Sequence, residues 1–160
     1  MRTPEDFHRL IDTAFADQGR GESIIFAAPD RISGRVVGST RFMNINRANL
    51  RVEIASTWIA PARQRTTVNT EAKYLMLLHA FEVWNCNRVE PKTDAPNLKS
   101  RNAILRLGDK EKGTFRKHLV IWTGHVRATV YFSILDTERP QVKPHLEAKL
   151  PVRPAQPTPL

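Results

Sequence analysis

The chain has 160 residues, 41% of them hydrophobic, one cysteine and a formal charge of +9 at pH 7. That length supports one folded domain with a real core, and the single Cys86 excludes a disulfide framework and a cysteine-rich zinc site. No apolar run reaches the length of a membrane span and the N-terminus has no signal-peptide core, so a cytoplasmic location is expected; the positive balance favours anionic partners, although the cations never cluster five or six in a row.

In chain order, "TPEDFHRLIDTAF" predicts a short helix. Thr3 caps it, Pro4 suits its first turn, and Glu5 and Asp6 sit at the positive end of its dipole. Phe7, Leu10, Ile11, Ala14 and Phe15 form its apolar stripe. After the loop "DQGRGE", "SIIFAA" and "RVVGSTRFMNI" predict a strand hairpin around "PDRISG". "NRANL" turns the chain into a third strand, "RVEIASTWIA", with Val52, Ile54, Ser56 and Trp58 on one face and Glu53, Ala55, Thr57 and Ile59 on the other.

Residues 68–84 predict a helix that is apolar almost all round, with stripes Leu75/Met76/Ala80/Val83 and Tyr74/Leu77/Leu78/Phe81/Trp84, and so buried on a sheet. "NRVEPKTD" reads as a strand limited by Pro91. "NLKSRNAILRLG" is a helix capped by Asn97 and stopped at Gly108, with Ala103, Ile104 and Leu107 inward. A long hairpin around "TG" follows, then a short helix in "ERPQVKPHLEAKL". The fold class is α+β or α/β with one mixed sheet, a single domain over residues 1–150. The Pro-rich residues 151–160 are expected to be a disordered tail.

"RQRTTVNTEAK", residues 63–73, is bare and cationic and stands directly before the greasiest helix. The first N–H groups of a helix lack partners and carry partial positive charge, which suits a phosphate. Thr66, Thr67, Asn69 and Thr70 add short donors; Arg63 and Arg65 add charge. An ordinary capped loop fits the same residues equally well.

The segment "WIAPARQRTTVNTEAK" resembles the coenzyme A pyrophosphate loop of the GNAT acetyltransferase superfamily, with Gln64 at the motif's first position and Thr67 and Asn69 at its two small positions. "TDAPNLKSRNAILRLG" is similar to the later Asn-then-helix segment. "VVGSTRF", "VEIASTWIAP", "KGTFRKH" and "RATVYFSIL" resemble the branch that includes the ribosomal-protein N-terminal (Rim-type) acetyltransferases. The likeness covers about Phe26 to Leu150. It implies a mixed, mostly antiparallel central sheet flanked by helices, here without the first strand and helix with which members usually begin. That places "SIIFAA" near a sheet edge and raises a homodimer by strand pairing.

The resemblance implies an acetyl-CoA-dependent N-acetyltransferase acting on a primary amine, either a protein N-terminus (a ribosomal protein, for example) or a small amine. It assigns the cofactor to Thr57, Trp58, Ile59, Gln64, Arg65, Thr66, Thr67, Val68, Asn69, Thr70 and Asn97. Glu53 is the candidate base, against a strand-face ion pair as its plain alternative. Many members carry a Tyr where Ile104 stands, which leaves Ser100 and Asn97 as donors near the sulfur, against simple helix capping. The five histidines lack metal-ligand spacing, so no metal is expected; His118 is either an acceptor-pocket residue or a solvated strand edge, and Tyr131 reads as core. A shortened, catalytically impaired module binding CoA or a protein remains the alternative. A nucleic-acid-binding role, from charge alone, is a third.

Overall fold

The computed structural model describes residues 3–121 and 123–151. Thr3 opens α1 (Pro4–Gly19) with the predicted cap: its hydroxyl accepts from the Asp6 N–H, and the Asp6 carboxylate accepts from the Thr3 N–H. The helix runs on through Asp17–Gly19, into the expected loop. Of its apolar stripe Ala14 is buried, whereas Leu10 and Phe15 are exposed, because α1 leans on a single outer strand that is too narrow to cover it. Phe7's side chain and the expected tail beyond residue 151 lie outside the described residues.

β1 (Ile24–Pro29), β2 (Val36–Asn46) and β3 (Arg51–Ile59) form an antiparallel meander, with β1 outermost. β3 then pairs in parallel with β4 (Arg88–Glu90), at Arg51–Glu53 alone. β4 and β5 (Lys92–Asp94) share one continuous register on β7 (Val126–Leu135), and β6 (Lys110–Val120) pairs along β7 as well. Pro91 divides the expected strand into β4 and β5. It has no N–H to give a ladder, but its carbonyl accepts from the Phe132 N–H at 3.0 Å.

α2 (Val68–Leu78) runs into a π-helical turn at His79–Val83. It shares one face of the sheet with α4 (Arg139–Glu147). Met76, Leu77, Ala80, Phe81, Val142 and Leu146 close over Phe42, Val52, Ile54, Val89 and Ile134, with Cys86 buried among them as a small apolar residue. Phe42, Val52, Ile134 and Leu146 are almost wholly buried, each worth about 1.5–3 kcal/mol over exposure. α2 is buried on one side only: the sheet meets the Thr70–Lys73–Leu77–Ala80 stripe, whereas Leu75 and, in the turn that follows, Val83 are exposed, with no layer over them among the described residues. α3 (Leu98–Leu105) is capped by Asn97, whose side chain accepts from the Ser100 N–H. Ile104 packs with Val130 and Phe132, and Gly108 follows at φ +101°.

Candidate functional site

The sheet forks. The parallel ladder between β3 and β4 ends at Glu53 and Glu90. Beyond it β5 stays on β7, while β3 carries a bulge: the step from Ala55 to Trp58 on β3 spans only Arg41 to Ser39 on β2. Ser56 sits at φ +49°, the sign of such a bulge. The extra residue also breaks the expected alternation. Thr57 turns toward α2, the side that Val52 and Ile54 occupy, rather than sharing Glu53's face.

The fork opens a cleft of about 1070 Å³, lined by residues 54–59 of β3, the start of α2, and α3. At its outer end Gln64 is fixed twice, donating from Nε2 to the Ile59 carbonyl at 2.9 Å and accepting on Oε1 from Lys99 Nζ at 2.5 Å. Arg63 pairs with Asp30. Arg65 is exposed at φ +62°. Thr66 donates to the Arg63 carbonyl at 2.7 Å. Thr67 keeps an ordinary φ of −73° and makes no side-chain cap; the Val68 N–H donates to Thr66 Oγ1 at 3.4 Å, and the next residue of the first turn, Asn69, lines the cleft, where a helix start suits an anion. Gln64, Arg65, Thr66 and Asn69 line the cleft together with Thr57, Trp58, Ile59, Asn97 and Ser100. Thr67, Val68 and Thr70 are not among its lining residues; Thr70 is buried and accepts from Arg106 at 3.2 Å.

Two charged groups on the cleft wall went unread in the sequence. Lys73, 8% exposed, donates from Nζ to Thr40 Oγ1 at 2.7 Å and to Thr57 Oγ1 at 2.6 Å, tying α2 to the bulge. Burial pulls its pKa down to about 7, opposed by the Asp109 carboxylate. Asp109, 6% exposed, is pushed up to about 7 by burial, opposed by Lys73, and its Oδ1 has no hydrogen-bond partner among the described residues. Helical phase was the missed signal: Lys73 lies three residues after Thr70 and four before Leu77, on the buried stripe.

Glu53 lies on the other face of β3. Its Oε2 accepts from Asn44 Nδ2 at 2.6 Å and from Lys92 Nζ at 2.6 Å. Lys92 Nζ also stands 5.0 Å from the centre of the Tyr131 ring. A second opening of about 880 Å³ lies here, bordered by Asn44, Glu90, Lys92, Phe115 and Tyr131. Tyr131 is half-buried on this wall, edge-to-face with Phe115 and tilted against the exposed His118, rather than in the core. Ile104 brings no polar atom to the cleft. Among the described residues no cluster of metal-ligating side chains occurs, and no helix is long and apolar enough to cross a membrane.

Residues 1–110 match the family described as Acetyltransferase (GNAT) domain. A Bacillus subtilis (strain 168) protein named "Putative ribosomal N-acetyltransferase YdaF" is 31% identical over 105 residues, 66% of this chain and 56% of that protein. The crystal structure of a GCN5-related N-acetyltransferase from Brucella melitensis superposes with a TM-score of 0.83 at 34% identity, covering 92% of this chain and 65% of that one. Mycobacterium smegmatis RimJ, in complex with CoA-disulfide, shares the fold at a TM-score of 0.75 and 24% identity, over 89% of this chain and 67% of that one. This chain therefore spans less than two thirds of the Bacillus and Brucella proteins. The forked sheet, the open helix start at its mouth and the match over residues 1–110 agree: the chain belongs to the GNAT acetyltransferase family.

Proposed function

We propose that this chain is an acetyl-CoA-dependent N-acetyltransferase that modifies a primary amine. The observation that carries the reading is the fork, which puts a phosphate-suited helix start at one end of a cleft and Lys92, paired with the buried Glu53 carboxylate, at the other. Gln64, Arg65, Thr66 and Asn69, with the α2 amides, would hold the pyrophosphate, and the exposed edge of Thr57, Trp58 and Ile59 would align the arm; coenzyme A would supply an activated acetyl group there. The residues fit it: Lys99 and Arg106 add positive charge along the same cleft. The CoA-disulfide held by RimJ, a protein of the same fold, supports the assignment.

Glu53 is the group in this reading that takes the acceptor's proton, directly or through water. Asn97 and Ser100 face the cleft and serve as donors near the sulfur; Asn97 also caps α3. The ribosomal name of the Bacillus relative supports a protein N-terminus as acceptor, with a small amine as the alternative. A cytoplasmic location belongs to the same reading, as does pairing between copies along the outer strand β1. Sedimentation should then show concentration-dependent dimer; a monomer at high concentration removes that part.

A second reading, a module that binds coenzyme A without turnover, is favoured by Ile104, an apolar residue packed on Val130 and Phe132, where the resemblance implies a Tyr in many members. Thiol release from acetyl-CoA with mixed amines and N-terminal peptides separates the two. Turnover is expected, with Glu53→Gln slower by about 10²–10⁴-fold and binding coenzyme A as the parent does. Binding without thiol release supports the second reading, and turnover of Glu53→Gln within a few-fold of the parent removes Glu53 from the mechanism.

A further inference from the structure

Three lysines line the cleft, and their settings differ. Lys99 holds Gln64 at the phosphate-suited end. Lys73 is locked between two threonine hydroxyls. Lys92 stands immediately after Pro91, at the fork, and borders both openings. Its side chain is 18% exposed, so solvent still reaches it, while its Nζ rests 2.6 Å from the carboxylate of Glu53, itself 8% exposed. From Ile59, beside Gln64, to Ile54, beside the fork, bulged β3 lies opposite the run from Gly38 to Phe42 on β2, roughly 13 Å at ordinary strand rise. A long thioester arm anchored by its phosphates at residues 64–69 would thus deliver its acyl group to the end of the cleft where a primary amine already waits beside a proton acceptor.

We propose that Lys92 is an acetyl acceptor within its own chain, placed at the junction of the two openings with Glu53 as the proton acceptor. The inference rests on the coenzyme A reading of the cleft. The Lys92 ammonium gives one proton to the Glu53 carboxylate, which passes it to solvent. The freed Nζ lone pair attacks the thioester carbonyl carbon; the nitrogen loses its second proton as the C–S bond breaks, and the sulfur leaves as thiolate and is protonated. Acetyl-CoA and a lysine ammonium become free coenzyme A, an acetyl-lysine and one released proton, with no redox change. The product amide is neutral, so it cannot hold the ion pair with Glu53 or the cation on the Tyr131 ring. Glu53 would keep Asn44 as its partner and turn a free carboxylate edge to the second opening. Self-acetylation is therefore a switch on the amine-binding side of the site.

The test incubates the full chain with acetyl-CoA and no added amine, then maps acetyl groups by peptide mass spectrometry. Calorimetry with coenzyme A is run on the same sample. One dominant acetyl mark on Lys92 is expected, absent from heat-unfolded protein, absent in Lys92→Arg, retained in the surface control Lys143→Arg and formed at least ten-fold more slowly in Glu53→Gln. Coenzyme A binding with no mark on Lys92, or with marks spread evenly over the surface lysines, overturns the inference and leaves the cofactor reading standing. Absence of coenzyme A binding overturns both.

Discussion

Burial acts in opposite directions on Lys73 and Asp109, and the pair leaves a signature in stability against pH. Asp109 rises from 3.8 to about 7, so between those values the folded chain holds a proton that the unfolded chain has lost. That contribution to stability is complete at low pH and fades as pH rises to about 7. Lys73 falls from 10.5 to about 7, so above 7 the unfolded chain holds the extra proton and stability climbs toward pH 10.5. Urea unfolding across pH should show a dip near neutrality. Asp109→Asn should flatten its acid limb, and Lys73→Met its alkaline limb; profiles parallel to the parent's would mean that the two groups are not titrating as described. Glu53 could be singled out in the sequence because no other carboxylate shares its strand. Its partners Lys92 and Asn44 were not, since contacts across 39 and 9 residues depend on strand register. Lys73 was hidden differently: a cation on an apolar stripe reads as a break in the pattern, not as a buried ligand for two threonines.

At the scale of elements, the bulge in β3 shapes the cleft wall, and β2 guards it from the far side. Gly38 lies opposite Ile59, where an added Cβ would come within 2.6 Å of Ile59 Cδ1 and 2.7 Å of the Trp58 carbonyl oxygen. A backbone oxygen cannot step aside as a side-chain tip can. Gly38→Ala should therefore cost about 1–3 kcal/mol of stability and loosen coenzyme A binding by displacing Trp58 and Ile59; denaturant titration beside calorimetry reads both, and an unchanged midpoint would show that the wall yields freely. Helices and strands were largely legible, because capping residues, turn chemistry and periodicity all agreed. The bulge was not. Period-two reading assumes an unbroken ladder, and a serine at positive φ carries no signal of the kind that glycine gives. Pro91 did announce itself, yet only the fold reveals that it divides the strand at the fork.

For the whole molecule, one sheet does two jobs: its apolar face with α2 and α4 holds the chain together, and its forked centre makes room for a ligand. The charge of +9 is spread along the sequence with no run of five or six cations, which fits a phosphate site built from backbone amides and a few cations better than a broad nucleic-acid surface. Calorimetric titration with coenzyme A probes the pyrophosphate site itself, using the parent, Arg65→Glu and Asn69→Pro. Proline is tolerated in a helix's first turn, so Asn69→Pro removes a cleft amide without breaking α2. The expected result is saturable one-site binding by the parent, weakened by on the order of 1–3 kcal/mol in Arg65→Glu, with Asn69→Pro also weaker. Equal binding by all three would place the pyrophosphate elsewhere, and no binding by the parent would contradict the cofactor site altogether.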